Sequence, residues 1–314
     1  MLIERFARRS IGTITTLLWV SAVLMAQRSV NFLHTPDQPL HGAAERGLAA
    51  DALASFTFER NLIFFEASVN GQSGNYILDT GAPTLVVNNR GRADAGGNYT
   101  GYGSGGTVSC SDYRVADFRM NGRTFRNYWA IGLDLRGMED RTGRTIDGMV
   151  GYDLINDGEL RIDYAARSFR LLPSSRHPQH DQREPKAVLK FSLVDHLPVI
   201  RLRIDGKRYD FAIDTGAGVN LVDDKLVEKL PLQRTTDRMN IQGLDGRPVD
   251  LDLYTILLSQ LPQSDKNEAP VELLATDLQH LEDNGQQIAG ILGSAFLSRY
   301  TVGIDYRRRR IYLW

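Results

Sequence analysis

The sequence predicts a mostly β chain of two homologous lobes related by a pseudo-two-fold axis, with few short helices. Runs such as "IFFEASV", "NYILD", "VIRLRI" and "FAID" are rich in β-branched and aromatic residues. Asn70-Gly71 and Asp205-Gly206 stand between such runs, and these pairs supply the left-handed backbone of a two-residue hairpin turn. The tetrapeptide Asp-Thr-Gly-Ala occurs at 79–82 and again at 214–217. With each residue at about one in twenty, roughly 0.002 copies are expected in such a chain. Two copies therefore need a cause.

That cause is duplication. At an offset of 135 residues Leu62 meets Leu197, Val69-Asn70-Gly71 meets Ile204-Asp205-Gly206, Tyr76 meets Phe211 and Asp79 meets Asp214. At an offset of 142, "IDGMVGYDLINDGELRIDYAARSFRLL" (146–172) lies on "IAGILGSAFLSRYTVGIDYRRRRIYLW" (288–314) without a gap. The first lobe is read as 56–172 and the second as 190–314. Residues 173–189 join them, and the core of that stretch, "PSSRHPQHDQREPK", is poor in apolar residues and reads as an exposed linker. One helix per unit is expected, with "DDKLVEKL" (223–230) the clearest by spacing.

The bulk numbers exclude several classes. A chain of 314 residues with 42% hydrophobic content can bury two ordinary cores. Its net charge of -1 creates no field favouring nucleic acid. Cys110 is the sole cysteine, so no disulfide forms within the chain, and it reads as a small packed residue rather than a nucleophile. His177 and His180 lack further ligands and are read as solvated; the remaining four histidines, His34, His41, His196 and His280, form no cluster in sequence. No metal and no cofactor are expected. Arg307 to Arg310 fall where a turn joins two strands, and Asp163 and Asp305, matched in "IDY", are expected to cap or pair locally.

A lone carboxylate at the end of an apolar strand is costly to bury unless it has a partner. Duplication supplies one, because an axis passing near both tetrapeptides brings Asp79 and Asp214 face to face. Two carboxylates at that range share a proton. Such a pair can hold a water molecule, take its proton as it attacks a peptide carbonyl, and donate to the carbonyl oxygen. Gly81 and Gly216 permit a tight turn, while the Thr80 and Thr215 hydroxyls can reach across the axis.

These motifs resemble the aspartic peptidase superfamily of pepsins and retroviral proteases, in which Asp-Thr-Gly-Ala follows a strand and an apolar-apolar-glycine element comes later. That element stands here as Met149-Val150-Gly151 and Ile291-Leu292-Gly293. The likeness is greatest to bacterial retropepsin-like aspartyl proteases, and it covers about residues 56–172 and 190–314. It implies two retropepsin- or pepsin-like β-barrel lobes, catalysis by Asp79 and Asp214, bracing of each catalytic loop by the later element, and a polypeptide substrate. Ala82 and Ala217 stand where pepsins usually have a hydroxyl, which is the retroviral pattern. The resemblance also implies a substrate-covering flap. "NYTGYGSGGTV" (98–108) fits it, with Tyr99 or Tyr102 either closing over substrate or packing under a surface loop. In the second unit "IQGLDGRPVD" (241–250) is a second flap or a plain turn. A monomer with two pseudo-symmetric lobes is expected. The alternative is a catalytically weak or inactive peptide-binding protein on the same fold.

Residues 1–26 place Arg5, Arg8 and Arg9 before "IGTITTLLWVSAVLMA", an apolar run of 16 residues ending at Ala26. This is the layout of a signal peptide or an N-terminal anchor, so an exported protein is expected, periplasmic or secreted, with membrane contact only if the segment is retained. Residues 27–55 fit a pro-segment, a tether or an N-terminal strand equally.

Overall fold

The structure is a computed structural model that describes residues 52–91, 98–103, 106–242, 248–258, 261, 270–281 and 287–314, with the backbone of two short strands, Leu18–Trp19 and Ala44–Glu45. The first of these strands runs parallel to Ile241–Gln242 and the second antiparallel to Thr124–Phe125. The rest of the segments read as signal or anchor (1–26) and as leader (27–55) lies outside the described residues up to Ala52. Among the described residues no helix is long and apolar enough to cross a membrane.

Strands dominate, and they repeat. Leu62–Val69 and Gln72–Leu78 form a hairpin, as do Leu197–Ile204 and Lys207–Asp214. Their turns are Asn70 (φ 51°) with Gly71 (φ 78°), and Asp205 (φ 47°) with Gly206 (φ 76°), both left-handed as the dipeptides require. Along Leu197–Ile204 the outward Arg201 and Arg203 alternate with buried Ile200, Leu202 and Ile204, the period of a half-buried strand. The second strand of each hairpin ends in the tetrapeptide. There it runs parallel to Gly148–Val150 in the first lobe and to Ile288–Gly293 in the second. A short return strand, Val86–Asn88 or Leu221–Asp223, pairs antiparallel to that same element.

The lobes share a sheet. Glu159–Asp163 pairs antiparallel with Thr301–Asp305, and each continues into its own hairpin with Ser168–Leu172 or Arg310–Leu313. Ala54–Glu59 and Ala187–Val194 add at the two edges. Arg161 lies opposite Gly303, its own repeat equivalent, so the pseudo-two-fold axis passes between them. A buried cluster continues across this sheet, from Phe56, Phe65 and Phe169 to Phe191, Phe211 and Ile304. Each lobe also has a smaller core, and the two match position by position: Leu62, Phe64, Ile77, Ala82, Val86 and Met149 in the first, Leu197, Val199, Ala212, Ala217, Leu221 and Ile291 in the second. The result is a two-lobed β fold in which neither lobe closes as a clear barrel.

The helix expectation changes. "DDKLVEKL" forms a single 3-10 turn, Asp224–Leu226, capped by the Asp223 carboxylate on the Lys225 N–H. The α-helices are Arg136–Thr142, Tyr152–Ile155 and Ser294–Leu297. The spacing of its three apolar residues, Leu226, Val227 and Leu230, is satisfied by one turn on a strand-built surface. The stretch read as an exposed linker is exposed over most of its length, and hydrogen bonds also tie it to the shared sheet and its turns. Ser174 Oγ donates to Asp305 Oδ2 (2.7 Å), Arg308 Nε to Ser175 O (2.9 Å) and Trp314 Nε1 to Arg183 O (3.0 Å). His180 is half-buried rather than freely solvated, and its Nε2 lies 3.2 Å from Asp163 Oδ2. His177 is exposed. Asp163 and Asp305 cap their hairpin turns, accepting the N–H of Ala166 (2.8 Å) and of Arg308 (3.0 Å), and Tyr306–Arg309 is the turn expected there.

Candidate active site

The two tetrapeptides meet at the axis. Thr80 N–H donates to Thr215 Oγ1 and Thr215 N–H to Thr80 Oγ1, both at 3.0 Å. Each hydroxyl then donates onward across the junction, Thr80 to Ile213 O (3.2 Å) and Thr215 to Leu78 O (2.9 Å). Each hydroxyl thus spends its one proton and also accepts an N–H, so a ring of four bonds ties the two loops together across the axis.

Asp79 and Asp214 lie side by side within it, both fully buried. Asp79 Oδ1 accepts the N–H of Gly81 (2.9 Å) and of Ala82 (3.1 Å). Asp214 Oδ1 accepts the N–H of Gly216 (2.8 Å) and also that of Gly81 (3.1 Å), so one peptide N–H bridges the two carboxyls. The remaining oxygens, Oδ2 of each, are buried and no protein N–H or O–H donor among the described residues reaches them. The donor left to them is a proton held by the pair itself. Burial pushes the Asp79 carboxyl well above the usual range, and the Asp214 charge and direct contact push it further, against the Gly81 and Ala82 N–H groups. Burial raises Asp214 as well, opposed first by the Gly216 N–H and then by its contact with Asp79. Both carboxyls are thus held above the usual range, and the pair shares one proton.

The glycines explain themselves by distance. A side-chain carbon on Gly81 would lie 2.6 Å from Asp214 Oδ2, and one on Gly216 would collide with the Asp79 carboxyl. Gly81→Ala is expected to lose at least about 100-fold in peptide cleavage through displacement of the dyad, with a stability loss of about 1–3 kcal/mol. Kinetics and thermal melting of the purified variant check both. Behind each loop sits the apolar-apolar-glycine element. Asp79 N–H donates to Val150 O (3.0 Å), and the N–H groups of Tyr152 and Ser294 donate to Ala82 O (2.9 Å) and Ala217 O (2.8 Å). Gly151 and Gly293 let these backbones touch, since a side chain there would strike the Ala82 and Ala217 carbonyls.

A family model described as "Aspartyl protease" matches residues 65–154 and 200–296, more than half of the chain. The chain belongs to the aspartyl protease family. The two matched regions, one in each lobe, agree with two fused retropepsin-like units. A comparison with curated proteins found no match. In this aspartyl protease fold the first-lobe hairpin pairs Asn98–Gly103 with the start of Gly106–Met120, and the second pairs Gln233–Gln242 with Pro248–Ile256. The side chains of Tyr99 and Tyr102, and residues 243–247, lie outside the described part. Cys110 is packed in the first-lobe core, where burial pushes its thiol up to about 11. Among the described residues no group of three or more His, Cys, Asp or Glu is placed to hold a metal ion.

Sequence reasoning missed three participants. His196 Nε2 sits 2.8 Å from Gly81 O, and Asn61 Nδ2 donates to Gly218 O (2.9 Å), each reaching from one lobe to the catalytic loop of the other. Ser294 Oγ donates to Thr215 O (3.0 Å). The signal that could have found the first two is the repeat itself, since Asn61 and His196 are equivalent at the offset of 135 and each stands just before an apolar run.

Proposed function

We propose that this chain is an aspartic endopeptidase that hydrolyses peptide bonds with a water held between Asp79 and Asp214. The observation that supports it is the arrangement of the four carboxyl oxygens: the Oδ1 atoms are fixed by backbone N–H groups, while the Oδ2 atoms are buried together without a protein donor. The ionised member of the pair takes a proton from water as the water oxygen attacks the peptide carbon, and the protonated member gives its proton to the carbonyl oxygen. Collapse of the tetrahedral species breaks the C–N bond and returns a proton to the leaving amine. Both carboxyls are buried, and we assign the substrate-covering role that the resemblance implies to the two hairpins. Incubating residues 27–314 with a mixed peptide library in 18O-water should give new termini, each new carboxyl bearing one labelled oxygen. Binding of peptides without new termini would favour the catalytically inactive alternative.

Activity should follow a bell-shaped pH profile whose limbs belong to the pair. Ala82 and Ala217 give the carboxylates no hydroxyl donor, so the optimum is expected to be mildly rather than strongly acidic. Ala82→Ser should move the acid limb downward. An optimum of the parent near pH 2 would refute the role given to the alanines.

The basic-then-apolar N-terminus supports export, with residues 1–26 as signal or anchor. N-terminal sequencing of protein from fractionated cells tests this; an intact Met1 in the soluble cytoplasmic fraction would overturn it.

A further inference from the structure

The two catalytic loops are held from behind by different chemistry. In the first, the Gly81 carbonyl can only accept, so His196 Nε2 donates to it as N–H. The same peptide unit carries the Ala82 N–H, which donates to Asp79 Oδ1 at 3.1 Å. In the second, Ser294 Oγ donates to Thr215 O, and that peptide unit carries the Gly216 N–H, which donates to Asp214 Oδ1 at 2.8 Å. Because Ser294 spends its proton on the carbonyl, Tyr164 Oη, 3.2 Å away, donates to Ser294. A donor on a peptide oxygen polarises the unit and strengthens donation from its N–H.

We propose that His196 and Ser294 are positioning residues for the dyad, each acting through a single peptide unit, His196 on Asp79 and Ser294 on Asp214. The proposal rests on the dyad reading above. The repeat makes the contrast specific: the counterpart of Ser294 is Tyr152, whose ring packs against the Tyr306 ring (5.4 Å between centroids), and the Tyr306 hydroxyl has no partner among the described residues. The counterpart of His196 is Asn61, which reaches Gly218 O rather than the glycine beside the aspartate. Support of the two carboxylates is thus unequal by construction.

The ionisable groups around these contacts are few. His196 faces Asp195 on its own turn, the Tyr152 ring at 6.5 Å, and the loop bearing Asp79. The dyad faces the buried Tyr164 and Tyr306 phenols, which burial pushes up and keeps neutral. Burial likewise lowers His196 and favours the neutral ring, against the Gly81 carbonyl and the Asp195 charge.

The test compares His196→Phe, which fills the space without a donor, with His196→Asn, which restores an N–H of the kind Asn61 uses. In the full chain, His196→Phe should lower kcat by about tenfold at unchanged KM and raise the acid limb by about half a pH unit, the scale of one weakened hydrogen bond. His196→Asn should recover most of both. Ser294→Ala should raise the acid limb likewise. Carboxyl 13C titration of the aspartates, with Asp79→Asn and Asp214→Asn assigning the signals, reads the same shift without turnover. A parent that cleaves nothing would defeat the proposed function, yet the titration would still decide this inference. If Phe and Asn at 196 behave alike, or if His196→Phe loses stability while both dyad titrations stay parental, the proposal is wrong.

Discussion

Asp79→Asn and Asp214→Asn are each expected to lower kcat/KM by about 1,000-fold or more, because either change removes one half of a paired acid and base. The fold should survive, since asparagine keeps the shape and its carbonyl can still accept the Gly81 and Gly216 N–H groups. Stability gives a second readout of opposite sign. Both carboxyls are raised by burial, and the ordinary aspartate value is 3.8. Above that value the unfolded chain releases protons that the folded chain retains, so the parent loses stability as pH rises toward the folded-state values. Asparagine cannot titrate, and the variants should lose part of this slope. At neutral pH they should therefore melt higher than the parent, with the difference shrinking below pH 4. Residual cleavage within tenfold of the parent in either variant would refute the dyad, and identical melting slopes would refute the shared proton.

Thr80→Val should cost about 2–6 kcal/mol of folding stability. Valine matches threonine in shape, so the change removes the hydroxyl and little else. It leaves the Thr215 N–H without its acceptor and Ile213 O without its donor, in a site with no solvent to replace them. Each orphaned buried group costs about 1–3 kcal/mol, a large share of the 5–15 kcal/mol that typically holds a domain together. Thr80→Ser retains the hydroxyl and should recover most of the loss. Thr215→Val should behave as Thr80→Val does, and the double variant should fall short of the sum, because the four bonds form one ring. Urea unfolding of the four proteins measures this. A Thr80→Val midpoint shift worth under about 0.5 kcal/mol, the usual range of an inert substitution, would mean that the ring does not hold the lobes.

Much of this was legible because the chain says it twice. The positions of Asp79 and Asp214, the left-handed turns at Asn70-Gly71 and Asp205-Gly206, and the local capping by Asp163 and Asp305 all follow from residue types at matched offsets. What escaped was set by distance along the chain. His196 reaches a carbonyl 115 residues away and Asn61 one 157 away, and neither residue's neighbours announce this. The 223–230 stretch misled because its apolar spacing suits a helix, while the single turn that forms is ended by packing of Leu226 and Leu230 into the core. The stretch at 173–186 is largely exposed, as its composition implied, and only its polar ties escaped. Its partners Asp163, Asp305, Arg308 and Trp314 lie on the shared sheet and in other parts of the sequence.

The shared sheet has one more consequence. Two identical subunits meeting on a two-fold axis must change together, since every substitution appears on both sides of the cleft. Here the axis between Arg161 and Gly303 relates halves of a single chain, so Tyr152 can differ from Ser294, and Asn61 from His196. A peptide is not symmetric; its amino and carboxyl sides differ at every bond. If the chain cleaves peptides as proposed, halves free to differ could read the polarity of the substrate, where a symmetric site would accept both directions alike.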